Sequence, residues 1–210
     1  MAPDETQRHG EQLARVLGCK SAAGKCASYL RLLNKWQRVH NLAGARQVAA
    51  LAALAADCAP LLHRVGQLEP SRAVDLGSGA GMPGLLLAIA RPALPVVLIE
   101  SRQSKAAFLR QAAAELELEN VHIVCERIES WRPRQYPDLL CARALTSLPR
   151  LARLVSGFTV AGLRLLALKS RQPRAECAAL ENCGAGWQVV SCRPTGSSPS
   201  RWLVEAQVQQ

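Results

Sequence analysis

Nothing in this chain looks like a membrane span, because Arg, Asp, Pro or Gly interrupts every apolar stretch before it reaches the necessary length. The first residues, Met1-Ala2-Pro3-Asp4-Glu5, lack the basic-then-apolar pattern of a secretory signal. No two of the eight cysteines, at 19, 26, 58, 125, 141, 177, 183 and 192, have zinc-knuckle spacing. The four histidines, at 9, 40, 63 and 122, form no ligand pattern, so no metal site is expected. His122 alternates with Val121 and Ile123 and reads as a structural strand residue. There is no internal repeat, and no low-complexity tract beyond an Ala-rich patch. These absences leave a globular, cytoplasmic protein whose cysteines act as small buried hydrophobes in a reducing compartment.

What is present is a chain of 210 residues that is 49% hydrophobic, enough for one domain with a sizeable core and a small extension. Net charge is +10 and unevenly spread. Residues 1–70 hold 9 Lys/Arg against 5 Asp/Glu, residues 71–129 hold 6 against 7, and residues 130–210 hold 11 against 4. A neutral middle with basic flanks favours a polyanionic partner, most simply nucleic acid.

The organising stretch is Val74-Asp75-Leu76-Gly77-Ser78-Gly79-Ala80-Gly81-Met82-Pro83-Gly84. It reads as strand, glycine-rich turn and helix. Such a turn lets a ligand touch backbone, and the following helix offers free N–H groups to an anionic group. A second apolar run, Val96 to Ile99, ends in Glu100, which is spaced to receive the ribose hydroxyls of a nucleotide-like cofactor. Asp75-Leu76 precede the glycines, and Asp75 is placed to receive an amino-acid ammonium. Gly77, Gly79, Gly81, Asp75 and Glu100 are therefore candidate cofactor residues. This arrangement is similar to the first motif of class I S-adenosylmethionine methyltransferases.

Helices are expected over residues 4–18, 22–39 and 45–65, forming a cap over residues 1–70 with Glu69-Pro70-Ser71 as the joint. Residues 71–210 then alternate strands (73–76, 95–99, 121–125, 138–142, 162–168) with helices (83–91, 103–118, 147–156, 173–183), which means a parallel sheet covered on both faces. Trp187–Cys192 and Trp202–Val208 flank a Pro/Gly/Ser turn and predict a terminal hairpin. The expected fold is α/β, a Rossmann-like seven-stranded sheet ending in an antiparallel hairpin, with an N-terminal helical extension. Ligands of such sheets bind beyond the carboxyl ends of the strands. There the chain places Arg127, Arg143 and Lys169, after strands three, four and five.

With these residues the sequence resembles the RsmG family, the bacterial rRNA small-subunit methyltransferase G, also called glucose-inhibited division protein B. The resemblance rests on Gly77 to Gly84, Glu100-Ser101 with Lys105 and Phe108-Leu109, Arg127-Ile128-Glu129, Arg143-Ala144, and Leu168-Lys169 followed by Ser170 instead of Gly. It spans residues 25–210. It implies S-adenosylmethionine as cofactor, lined by Gly77, Met82, Ile128, Glu129 and Arg143. It implies guanine N7 of the 530 loop in 16S rRNA as target, with Lys105, Arg127, Lys169 and Asn41 facing RNA. Arg143 and Lys169 would orient the base. The small ribosomal subunit would be the partner of a monomeric enzyme.

The chain departs from the family pattern at Trp36-Gln37, at Asn41-Leu42-Ala43, and at Asp57-Cys58, which no histidine precedes within residues 49–62. Two other readings share these residues. One is a non-catalytic rRNA-binding assembly factor on the same fold. The other is a nicotinamide-dependent oxidoreductase, which would need a further domain. A purely structural Arg143, bridged to Glu129 or Asp75, is the bland alternative for that residue.

Overall fold

Four helices come first and a strand–helix alternation follows. The computed structural model describes residues 4–40, 42–196 and 201–209. The helices are α1 (Glu5–Val16), α2 (Ala23–His40), α3 (Val48–Ala56) and α4 (Ala59–Leu68). Then come β1 (Ala73–Leu76), α5 (Gly84–Ala90), β2 (Val96–Ile99), α6 (Gln103–Glu115), β3 (Val121–Val124), β4 (Leu139–Arg143), α7 (Leu148–Val155), β5 (Arg164–Lys169), α8 (Arg174–Glu181), β6 (Trp187–Pro194) and β7 (Trp202–Val208).

The sheet runs β3-β2-β1-β4-β5-β7-β6. The first five strands pair in parallel, while β7 pairs antiparallel with both β5 and β6. The sequence places every strand and the helices of the alternating half within three residues.

One helix departs from expectation. The segment read as a single helix over 45–65 is two, and the second runs past Gly66 to Leu68. Asp57 and Cys58 form the break, and Pro60 stands in the first turn of α4. Proline lacks an N–H and clashes with the preceding turn, so it belongs at a helix start and not inside one. Gly66 is tolerated within α4 because the Arg91 guanidinium occupies the place of its missing Cβ. By length and composition Val48–Leu68 is apolar enough to cross a membrane. Here, however, the segment is broken at Asp57-Cys58, and Leu51, Ala55, Leu61, Leu62 and Val65 are buried in the protein core.

Successive strand residues point to opposite faces of the sheet. Val74, Leu76, Leu140 and Ile99 pack with Leu151, Val155 and Phe158 on one face. Ala73, Leu98 and Cys141 pack with Leu85, Leu86 and Phe108 on the other. Leu30, Leu33 and Leu61 of the N-terminal helices belong to this second cluster. Each such buried side chain contributes about 1.5–3 kcal/mol, so apolar burial is what seats these helices on the sheet. Polar contacts fix the orientation. Arg64 forks onto the buried Glu205 of β7, Nε to Oε2 at 2.7 Å and Nη2 to Oε1 at 2.9 Å. Trp36 donates from Nε1 to Gln111 at 3.1 Å and meets Phe108 edge-on at 5.8 Å.

The cysteines differ from expectation in part. Cys19, Cys26, Cys58, Cys141 and Cys177 are buried, but Cys125 and Cys192 are half-buried and Cys183 is exposed. Cys125 follows β3, an outer strand of the sheet with a partner on one side only, where neighbouring residues are also partly open.

Candidate active site

β1 ends at Leu76, and the chain turns through Gly77-Ser78-Gly79-Ala80-Gly81 before α5. Gly77 and Gly79 have φ of +69° and +54°, the left-handed region that a Cβ makes costly. At Gly77 a Cβ would meet Leu145 Cδ1 at 2.6 Å. At Gly79 its nearest neighbours would be Gly77 O and Lys105 Nζ at 3.8 Å, ordinary contact distance without a clash.

Residues from several elements hold the turn. The buried Tyr29 hydroxyl of α2 donates to Ala80 O at 2.8 Å. The Gly79 N–H donates to Glu100 Oε2 at 2.9 Å, and the other Glu100 oxygen accepts from the Arg102 N–H at 2.9 Å. Asp75 accepts from the Gly84 N–H at 3.0 Å and braces the start of α5. Asp75 is 1% exposed. Burial pushes its carboxyl up to about 7, against the opposing pull of the Gly84 amide and Arg143.

Two cavities open beyond the strand ends. The first, about 390 Å³, lies among Leu42, Asp57, the turn residues Gly77 to Ala80, Met82, Lys169 and Arg201. The second, about 490 Å³, lies among Glu100, Arg127, Ile128, Glu129, Leu145 and Arg150. Gly77, Lys105, Arg143 and Ala144 line both, so the two form one groove.

The structure sorts the expected site residues along this groove. Gly77, Gly79, Met82, Glu100, Ile128, Glu129, Arg143, Lys105, Arg127 and Lys169 all line it. Asp75 and Gly81 line neither cavity: Asp75 sits beneath the turn, and the missing Cβ of Gly81 leaves room for Leu85. Asn41 lies outside the described residues. Arg127, Arg143 and Lys169 do not form one cluster. β2 and β1 separate β3 from β4, so Arg127 stands at one end, Lys169 at the other and Arg143 between.

Each basic group has its own setting. Arg127 Nε is 2.9 Å from Glu129 Oε1, both side chains being exposed. The Glu129 carboxyl is held below its usual range by its own backbone N–H and by Arg127. Lys169 Nζ lies 2.7 Å from Glu176 Oε2 and 2.9 Å from Thr146 O. It thereby ties down the segment after β4, where Ala144 has φ +50°, a conformation costing about 1–3 kcal/mol. Lys105 is half-buried and makes no ion pair among the described residues.

Arg143 bridges to neither Glu129 nor Asp75. Its Nη1 donates to Met82 Sδ at 3.0 Å, and its Nη2 lies 4.0 Å from Asp57 Oδ2. Arg201 Nε reaches the same oxygen at 3.1 Å. Asp57, Arg201 and Tyr29 were not foreseen as site residues. Asp57 had a signal, as the acid at one of the chain's departures from the family pattern. Arg201 had none. Gln37, at one of the departures, accepts the Ala43 N–H at 2.7 Å and thereby fixes a turn that lines the first cavity.

The family model described as rRNA small subunit methyltransferase G matches residues 23–193. A ribosomal RNA small subunit methyltransferase G of Nitrosospira multiformis is 37% identical over 193 residues, covering 88% of each chain. One of Laribacter hongkongensis is 33% identical over 177 residues, covering 84% of each. Among solved structures, MtNAS in complex with MTA and tNA superposes with a TM-score of 0.59 at 17% identity, covering 86% of this chain and 71% of that one. A SAM-dependent methyltransferase of Aquifex aeolicus gives 0.52 at 17%, covering 66% and 82%. These two show the fold, that of the class I methyltransferases. The nicotinamide oxidoreductase reading is not sustained. A family match over most of the chain, with relatives above 30% identity across it, assigns the protein: it belongs to the rRNA small subunit methyltransferase G family.

Proposed function

We propose that this protein transfers the methyl group of S-adenosylmethionine to N7 of one guanine in the 530 loop of 16S rRNA. The observation that carries this reading is what the first cavity does not contain. Its described lining includes no His, Cys or Tyr, and its one carboxylate, Asp57, is already paired with arginine. A site with no imidazole, thiol or phenol to take a proton suits a nucleophile that has none to give, and guanine N7 carries an open lone pair.

The groove fits the cofactor. Glu100 stands at the end of β2, where its carboxylate would accept hydrogen bonds from the ribose hydroxyls in place of, or beside, the Gly79 amide. Ile128 and Glu129 would flank the adenine. The cavity-facing side of Gly79 would take the carboxylate of the amino-acid end. The bound cofactor supplies an electrophilic methyl group on a sulfonium, and no proton has to move for N7 to receive it. The protein's part is positioning, which can supply about 7–11 kcal/mol of a barrier. Arg143, at the joint of the two cavities, and Met82, which lines the first, are the residues we assign to that alignment.

An rRNA substrate follows from the family. The finer reading is that the small ribosomal subunit presents the loop and that the protein acts as a cytoplasmic monomer. The basic excess outside residues 71–129 supports an RNA contact. The test is mapping of 16S rRNA from cells lacking the gene and from the same cells complemented. Loss of one N7 mark in the 530 loop, restored on complementation, supports the proposal, and an unchanged mark refutes it.

A further inference from the structure

We propose that Asp57 selects guanine, its carboxylate accepting hydrogen bonds from N1–H and the 2-amino group of the target base. The inference rests on the function proposed above and adds the residue that chooses the substrate.

Asp57 is the only Asp, Glu, Lys or Arg between Arg46 and Arg64. It sits at the break between α3 and α4, amid Ala and Leu, with 14% of its side chain exposed. A lone charge in such a segment needs a reason. Part of the reason is the two guanidinium groups, but both use the same oxygen. Arg201 Nε and Arg143 Nη2 lie 3.1 Å and 4.0 Å from Oδ2. Oδ1 accepts no hydrogen bond among the described residues, and Asp57 lines the first cavity. The two arginines thus fix the carboxylate's orientation and leave acceptor capacity unspent.

An ionised carboxylate only accepts. Guanine alone among the four bases presents two adjacent donors, N1–H and the 2-amino group, on its pairing edge. Adenine places the N1 lone pair there, and cytosine and uracil each offer a single donor beside acceptors. N7 lies on the opposite flank of the purine from the 2-amino group. A guanine held by Asp57 therefore keeps N7 free for methylation. The pairing edge is available only once the base has left its partner and stack, which costs a few kcal/mol. Contacts to Asp57 offset part of that cost, and no other base makes both of them.

The test uses the full-length protein and rRNA substrate carrying either guanine or inosine at the target position. Inosine keeps N1–H, O6 and N7 and lacks only the 2-amino group. Single-turnover transfer by the wild type should be about ten- to a hundredfold slower on inosine, the range for a lost hydrogen bond to a charged group. In Asp57→Ala the guanine rate should fall and the guanine-to-inosine ratio should approach one. Asp57→Asn, nearly isosteric, turns an amide donor toward the base donors and should also shrink the ratio if the alanine variant does not fold. Equal wild-type rates on the two substrates overturn the inference. So does a ratio unchanged in a folded variant, which would leave Asp57 as a mere brace for Arg143 and Arg201. Absence of transfer to the guanine substrate by the wild type would instead refute the proposed function.

Discussion

Arg143 reaches from the end of β4 to Met82 in the glycine turn, its Nη1 3.0 Å from the thioether sulfur. One side chain thus joins the strand-four edge to the turn, at the point where both cavities share a wall. A guanidinium manages this while its second nitrogen faces Asp57. An ammonium has the charge but not the planar fork.

Arg143→Lys should therefore separate alignment from attraction. Methyl transfer in a single turnover should fall about a hundredfold, the scale of a small misplacement, while RNA binding weakens far less. A melting temperature near wild type must accompany the slow rate. A wild-type rate would remove Arg143 from the alignment.

Gly79→Val should abolish binding of S-adenosylhomocysteine in a calorimetric titration. A Cβ at Gly79 would meet nothing closer than 3.8 Å, so the loss would not come from a clash within the protein. It would come from the φ of +54°, which a β-branched residue resists, and from two methyl groups standing in the ligand's space. Wild-type affinity would place the cofactor elsewhere.

The glycine turn, Glu100 and the strand ends were legible because each is local. Glycine spacing, an apolar run and the acid that ends it are adjacent in sequence. The pairing state of the basic groups was not legible. Lys169 meets Glu176 from the start of α8, and Arg143 meets Asp57 from the break between α3 and α4. Both contacts depend on how distant elements pack. The break at Asp57-Cys58 was missed because Ala and Leu continue on both sides and hide the meaning of Pro60. Asp75 was legible as important but not in role. Its position reads as ligand-facing in sequence, while strand alternation turns it under the turn toward Gly84.

Pairing decides which lysine senses salt. Lys105 has no ion partner among the described residues, whereas Glu176 offsets the charge of Lys169. Lys105→Ala should lower the slope of log affinity for rRNA against log salt by about one. Lys169→Ala should change that slope much less and slow methyl transfer instead, by releasing Thr146 and the strained Ala144. Equal slope changes for the two would contradict this assignment.

Asp75 gives the fold a pH dependence of defined sign. Its carboxyl rises from an ordinary 3.8 to about 7 on folding, so between those values the folded protein holds the proton more firmly than the unfolded chain. Its contribution to stability is full below about 4, falls as pH rises toward 7, and is flat above. Asp75→Asn keeps an acceptor for the Gly84 amide and removes the titration. Denaturant unfolding at pH 5 and pH 8 should show the variant losing less stability than the wild type over that interval. An identical loss would mean that Asp75 does not titrate there.

The central claim is tested by incubating purified protein with methyl-labelled S-adenosylmethionine and 16S rRNA, free or in small subunits from cells lacking the gene. Label is then located by the strand scission specific to 7-methylguanine. The account predicts label at N7 of one guanine in the 530 loop and none in substrate that already carries the mark. Label on another atom or another loop, or no transfer by a folded protein that binds the cofactor, would contradict it.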